Sequence, residues 1–255
     1  MRTDRFNVLG VGVSAIDMQA ALTAVEKWIE SQEQHYICVT NVHLVMEGQR
    51  DQVLRRILNT SGLTTPDGMP LVWLGRLLGY RHIGRVYGPD LMLALSELSA
   101  RKGYKNFYYG GVEQVPERVA RHLKTLFPAL QIVGTFSPPF RPLSEAEDAR
   151  VVEIINASDA EIVWVGLGAP KQEKWMASHI GRLRAPVLIG VGAAFDFHSA
   201  RISQAPRWMM RLGLEWLYRL FQEPRRLWKR YLINNPLFVA LTLAQALHIR
   251  RFSLD

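Results

Sequence analysis

Over roughly the first 200 residues, short β-like runs alternate with longer helical patterns. That alternation restricts the chain to an α/β layer fold built on a substantially parallel sheet. The predicted strands are Phe6–Val13, Tyr36–Thr40, Leu63–Thr65, Asn106–Tyr109, Gln131–Thr135, Ile162–Val165 and Val187–Val191. They are rich in Val, Ile and aromatic residues, and most end at Gly, Pro, Asn or Ser. Between them, Asp17–Glu33 repeats its apolar residues (Ala20, Ala21, Ala24, Val25, Trp28, Ile29) with a helical period. Val115–Phe127 and Glu145–Ala157 read the same way. In such sheets ligands bind beyond the carboxyl ends of the strands, so residues just past those ends are the first site candidates.

The pattern changes near Ala205, where strand signals cease. The expected division is an α/β domain over 1–204 and a helical appendage over 205–255. Arg207–Phe221 reads as one helix, with Arg207, Arg211, Glu215 and Arg219 spaced four apart. Trp208, Met209, Leu212, Trp216 and Leu220 form its broad apolar side. Pro224 is suited to begin a second helix carrying Arg226 and Arg230. Asn234-Asn235-Pro236 is expected to stop it, leaving Leu237–Ile249 as a third.

The stretch from Arg201 to Asp255 holds ten Lys or Arg residues against three acids, a net +7 of the chain's +8. Trp208, Trp216 and Trp228 are interleaved with the cations. So lopsided a charge points to an anionic partner: a membrane surface, a diphosphate ligand or a nucleic acid. The apolar run Leu237–Leu247 is shorter than the ~20 residues that a bilayer span needs. The apolar N-terminal stretch ends at Asp17, which argues against a secretory leader. The lone Cys38 excludes an internal disulfide and fits a reducing compartment. Together these suggest a cytoplasmic protein lying on the inner face of a membrane.

Several strand ends carry residues suited to chemistry. Gly166-Leu167-Gly168-Ala169-Pro170-Lys171-Gln172-Glu173 follows a strand and opens a helix, whose N-terminus with Lys171 and Gln172 suits an anion or polar ligand. An ordinary βα turn is the alternative. Asp67, in Thr65-Pro66-Asp67-Gly68, is either a helix cap or a carboxylate at a strand end able to act as a general base. Asn41 and His43 follow the second strand, and either suits a helix cap. Arg85 is placed to meet a phosphate or to pair with a local acid. Gly110-Gly111 and Gly190–Asp196 bring backbone amides to strand ends, for a nucleotide or merely for a turn. Gly10-Val11-Gly12-Val13-Ser14-Ala15 is a weak fit to a dinucleotide fingerprint, because no ribose-binding acid closes a second strand. There is no Walker loop, HExxH, paired CxxC, GxSxG or Asp-x-Asp, and the seven histidines lack metal-ligand spacing.

As an ordered set, these stretches resemble the WecG/TagA/CpsF family, glycosyltransferase family 26. The resemblance runs from Gly12-Val13 and Asp17 through Thr40-Asn41, Pro66-Asp67-Gly68, Arg85-Val86-Tyr87-Gly88, Gly166–Glu173 and Gly190–Asp196. It continues into Gly213-Leu214-Glu215-Trp216-Leu217-Tyr218-Arg219 and Glu223-Pro224-Arg225-Arg226. It implies a Rossmann-like sheet with helices on both faces and a C-terminal appendage that helps complete the site and meets the membrane. It also implies metal-independent, inverting transfer from a UDP-sugar to a polyprenyl-diphosphate-linked saccharide, with no cofactor. The sugar is left open among N-acetylmannosamine, its uronic acid and glucose. By motif, Asp67 matches the catalytic base, and Arg85 a catalytic pocket residue that would offset charge on the departing UDP. Thr40, Asn41, Gly110, Gly168, Lys171, Gln172 and Asp196 fall in the substrate pocket, and Arg219 and Arg226 match diphosphate-binding arginines. One departure is Val39-Thr40-Asn41 where many members have Thr-x-Asn, so Thr40 stands as the candidate threonine.

Two other classes remain for comparison. A nicotinamide-dependent oxidoreductase rests on the N-terminal glycines alone, and a nucleic-acid-binding protein on the basic tail alone. UDP should stabilise a glycosyltransferase, NAD(P) an oxidoreductase, and nucleic acid should bind with steep salt dependence. The apolar side opposite the tail cations suits a membrane interface, or packing on the protein's own body, better than a nucleic-acid groove. Homo-oligomerisation is left open.

Overall fold

The computed structural model describes residues 3–254. In chain order the first elements are strands β1 (Arg5–Val8) and β2 (Val11–Ser14), helix α1 (Met18–Ser31) and strand β3 (His35–Thr40). Helices α2 (Val42–Arg50) and α3 (Gln52–Thr60), strand β4 (Leu63–Pro66), and helices α4 (Met69–Leu77) and α5 (Gly88–Lys102) follow. Next come β5 (Lys105–Gly110), α6 (Val115–Leu126), β6 (Gln131–Phe136), α7 (Glu145–Ala157), β7 (Ile162–Gly166), α8 (Lys171–His179), β8 (Val187–Gly190) and α9 (Ala194–His198). Three helices end the chain: α10 (Arg207–Arg211), α11 (Glu215–Gln222) and α12 (Pro224–Ala246). Six strands form a helix-flanked parallel sheet in the order β4-β3-β8-β7-β5-β6, and β1 and β2 pair separately. The α/β expectation is met.

The chain groups into two compact units. The first contains the described residues up to Met18, Val39–Tyr87 and the chain from Gln204 onward. The second contains Gln19–Cys38 and Gly88–Ser203.

In the second unit, β7 pairs with both β5 and β8. Phe107, Tyr108, Val163, Trp164, Leu188 and Ile189 are fully or almost fully buried there. Large apolar side chains of this kind stabilise the fold by ~1.5–3 kcal/mol each. The one polar atom of Trp164, Nε1, donates to Asn106 Oδ1 at 2.9 Å, so burying this ring strands no donor. Helix α1 buries Ala21, Val25, Trp28 and Ile29, the face its periodicity announced. Ser144 and Glu147 start α7 with a reciprocal capping box.

In the first unit, the predicted strand Phe6–Val13 is two strands. Leu9 (φ 52°) and Gly10 (φ 81°) form a tight turn, and β1 and β2 pair antiparallel with Val8 opposite Val11. Left-handed backbone at both central residues is what a two-residue hairpin needs. Gly10 and Gly12 therefore serve a hairpin, and a strand follows them where a dinucleotide fingerprint requires a helix. This removes the structural basis of the oxidoreductase reading.

The tail also departs from expectation. Arg207–Phe221 is not one helix: α10 ends at Arg211 and α11 starts at Glu215, with Gly213 at φ 69° between them. The single four-apart face of Arg207, Arg211, Glu215 and Arg219 therefore does not exist. Conversely, Asn234-Asn235-Pro236 does not stop the next helix, since α12 runs from Pro224 to Ala246. Its buried residues Leu227, Tyr231, Asn234 and Phe238 recur every three or four positions, one continuous seam passing the proline. That seam packs on α2, where Arg50 donates to Asn234 Oδ1 at 2.7 Å. Tertiary packing outweighs the hydrogen bond that Pro236 cannot make.

The far end of α12 is fastened to the hairpin. Gln245 accepts from Leu9 N–H (2.9 Å) and donates to the Asn7 carbonyl (3.0 Å), while Asn7 donates to Phe252 (2.6 Å).

Candidate active site

Within the first unit, the ends of β3 and β4 place two candidate residues side by side. Asn41 is the N-cap of α2: its Oδ1 accepts from Leu44 N–H at 3.3 Å, a usual task for Asn at that position. This orients the amide so that Nδ2 reaches Asp67 Oδ2 at 3.3 Å. The Asp67 N–H donates to the carbonyl of buried Thr40 at 2.9 Å, tying the turn after β4 to the end of β3. Asp67 does not cap the next helix; Gly68 holds that position without a side-chain bond. The capping reading of Asp67 is thereby set aside, and His43 does not cap α2.

Arg85 closes the other side of Asp67. Its Nε donates to the Asp67 carbonyl, and its Nη2 meets Glu215 Oε2 at 2.5 Å. Tyr87 donates its hydroxyl to the other Glu215 oxygen at 3.0 Å, and its ring lies 4.1 Å beneath the Arg85 guanidinium carbon. Burial alone would lower the Arg85 pKa; Asp67 and Glu215 outweigh it and hold the value above the ordinary arginine range. Burial, with Glu215 and Asp67 next, pushes the Tyr87 phenol far above its usual pKa, so Tyr87 stays protonated as a donor. Of the two readings of Arg85, the local acid is present, and it comes from α11.

Beyond this cluster lies a surplus of positive charge. The Nε of Arg230 is buried with no hydrogen-bond partner among the described residues. Burial first, then Arg219 and Arg226, depress its pKa, while Tyr231 and Asp67 work against them. Arg226 pairs with Glu223 at 2.6 Å and is more than half exposed. His43 is neutral: burial, then Arg230 and Arg50, lower its pKa to about 3. Its 3.8 Å approach to Glu47 is therefore not an ion pair at neutral pH. Clustered guanidiniums with few acids among them make a place where an anionic oxygen is strongly favoured. The sequence motifs assign site roles to Arg219 and Arg226, but none to Arg230 or Glu215. The four-residue step from Arg226 to Arg230 on one helix is the available signal for the first; Glu215 stands within the Gly213–Arg219 motif, which assigns it no role of its own.

In the second unit, Gln172 and Glu173 are buried at the start of α8. Gln172 Nε2 donates to Glu173 Oε1 at 2.8 Å, while Gln172 Oε1 is buried without a hydrogen-bond partner. Gln172 lies against the β8 turn, where a Cβ on Gly190 would come within 3.0 Å of its Nε2. Burial raises the Glu173 pKa to about 7, against the opposing bond from Gln172. Gly168 (φ 78°) has open space where a Cβ would stand. Lys171 is exposed over the Phe140 ring at 5.0 Å. Asp196 pairs with Arg201 at 3.2 Å. Gly110 (φ 122°) faces the neighbouring strand, its virtual Cβ 2.6 Å from the Gly166 carbonyl carbon. The close pairing of β5 with β7 is thus sufficient reason for glycine there.

Residues 6–252 match the family described as Glycosyl transferase WecG/TagA/CpsF family. The chain belongs to that family. Two relatives are each named N-acetylglucosaminyldiphosphoundecaprenol N-acetyl-beta-D-mannosaminyltransferase. The one from Bacillus subtilis (strain 168) is 30% identical over 213 residues, spanning 80% of this chain and 81% of the relative. The one from Bacillus spizizenii (strain ATCC 23059 / NRRL B-14472 / W23) is 28% identical over 217 residues, spanning 85% and 81%. The WecG/TagA/CpsF match takes in both units and all three C-terminal helices. Among the described residues, no group of three or more His, Cys, Asp or Glu side chains is placed to hold a metal.

Proposed function

We propose that this glycosyltransferase moves N-acetylmannosamine from a UDP-sugar to a polyprenyl-diphosphate-linked N-acetylglucosamine, with inversion and without a metal. The two relatives' names support the sugar and the acceptor. The observation that carries the chemistry is Asp67, held between Asn41 and Arg85 with cations close by.

In this reading the acceptor hydroxyl oxygen attacks the anomeric carbon as Asp67 takes its proton. The new glycosidic bond forms as the bond from that carbon to the diphosphate oxygen breaks, and UDP leaves with the electron pair. Attack from the face opposite UDP inverts the anomeric centre. A positioned general base contributes typically ~10²–10⁴-fold. Arg85, and Arg219 with Arg226 from the C-terminal helices, offset the charge gathering on the diphosphate. That is work which a metal held by carboxylates performs in other diphosphate sites. Thr40, Gly110, Gly168, Lys171, Gln172 and Asp196 are assigned to substrate binding, with Asp196 on the nucleotide.

The test is a panel of UDP-sugars with a synthetic lipid-diphosphate N-acetylglucosamine acceptor, read by product mass, anomeric NMR coupling and retention of activity in chelator. N-Acetylmannosamine transfer is expected; transfer of no sugar from the panel overturns the reading. Asp67→Asn should lower kcat by about 10²–10⁴-fold with an unchanged melting temperature. Wild-type turnover by that variant rules out the base.

A further inference from the structure

Glu215 is the one carboxylate that the C-terminal helices send to the Asp67 cluster among the described residues. Both of its oxygens are used, one by Arg85 at 2.5 Å and one by Tyr87 at 3.0 Å. The two partners are themselves stacked at 4.1 Å. Arg85 is held at three points: Nε by the Asp67 carbonyl, Nη2 by Glu215, and its flat face by the Tyr87 ring. Such a guanidinium has lost its rotamer freedom before any ligand arrives. Nε and Nη2 are thus both engaged by the protein itself. Arg85 and Glu215 are each less than one-fifth exposed at the side chain, so the pair is little screened by solvent.

We propose that Glu215 is a positioning residue for the transfer reaction. It docks α11 against the Asp67 turn and fixes Arg85 so that Nη1 is aimed at the donor's departing phosphate. The inference rests on the glycosyltransferase reading above. It gives the C-terminal helices a second task besides supplying cations: their one acid in this cluster sets the geometry of an arginine that the α/β part contributes. A negative charge amid positive ones also sharpens selectivity. Glu215 cancels the unused charge of Arg85, so a bare anion gains little there unless it reaches Nη1.

The experiment is a double-mutant cycle of Glu215→Gln and Arg85→Ala, read in kcat and KM for the donor and in UDP affinity by calorimetry. Glu215→Gln keeps shape and one acceptor but loses the charge. It should lower kcat about 10–100-fold, by analogy with loss of one preorganised donor, with a smaller change in KM. In the Arg85→Ala background the same change should alter kcat less than about 2-fold, since a residue that acts through Arg85 has nothing left to position. Tyr87→Phe removes one of the two anchors and should give an intermediate loss. If Arg85→Ala does not fold, Arg85→Lys takes its place, because a lysine cannot make the three-point contact. Full, additive loss in the second background, or wild-type kcat for Glu215→Gln, overturns the proposal. A wild-type enzyme that neither binds UDP nor transfers sugar overturns the functional reading and this inference with it.

Discussion

Two buried ionisable side chains give the protein opposing responses to pH. His43 falls from 6.5 to about 3 on folding. Between those values the unfolded chain binds the extra proton, so stability falls as pH drops through the window. Glu173 rises from 4.5 to about 7. There the folded chain holds the extra proton, so stability falls as pH climbs from 4.5 towards 7. Each group sets a slope of at most ~1.4 kcal/mol per pH unit. Denaturant melts from pH 4 to 8 should therefore show Glu173→Gln more stable than wild type at pH 8 and converging with it near pH 4.5. His43→Gln should lose less stability than wild type below pH 6. A Glu173→Gln curve parallel to wild type would mean that this carboxyl is ionised in the fold. Residue-level chemistry was only partly readable from the sequence. Asp67 and Asn41 stood out because each follows a strand end, and Arg85 through its Arg85-Val86-Tyr87-Gly88 motif, whereas Glu215 lies 130 positions from Arg85 and their pairing is a product of the fold.

At the scale of elements, the six sheet strands and the three helices read from periodicity, over 17–33, 115–127 and 145–157, form close to their expected bounds. The misread elements are those where one residue's backbone decides. Leu9-Gly10 turned one apolar run into a hairpin, and Gly213 cut one amphipathic run into two helices. Gly213→Ala is accordingly destabilising: φ 69° disfavours a side chain, and the new Cβ would stand 2.7 Å from the Trp73 ring. A loss of about 1–3 kcal/mol in denaturant melts is expected, with a sub-kilocalorie change counting against it. Pro236 errs the other way. It sits exposed inside α12 and removes one helical hydrogen bond, so Pro236→Ala should raise the melting temperature. No rise would mean that Pro236 costs the helix less than its lost hydrogen bond implies.

For the whole molecule, the question is what the basic, aromatic tail does once its inner face is spoken for. Leu227, Tyr231, Asn234 and Phe238 are buried, yet Trp208, Leu212, Phe221 and Trp228 are between 46% and 78% exposed. Arg207, Arg211, Arg225 and Lys229 are exposed among them. No helix among the described residues is long and apolar enough to cross a membrane. Exposed aromatics beside cations suit shallow insertion at an anionic lipid surface, where the proposed acceptor would reside. The exposed groups lie on α10 and the residue after it, on α11 and on the start of α12, and α11 also carries Glu215 and Arg219. Surface binding and site completion are therefore mechanically linked in this proposal. Replacing Trp208, Leu212 and Phe221 together by Ser should abolish co-sedimentation with vesicles of anionic phospholipid. Turnover of a short-chain, water-soluble acceptor should survive within about 3-fold, because all three side chains are exposed. Raising salt should weaken wild-type binding, as it does for any cationic surface on charged lipid. Deleting residues 205–255 is a poorer test, because it also strips α12 from α2 and releases the β1–β2 hairpin from Gln245. If the triple variant still sediments with vesicles, the exposed aromatics are not the membrane contact; if it loses soluble turnover as well, they serve the site and not the lipid.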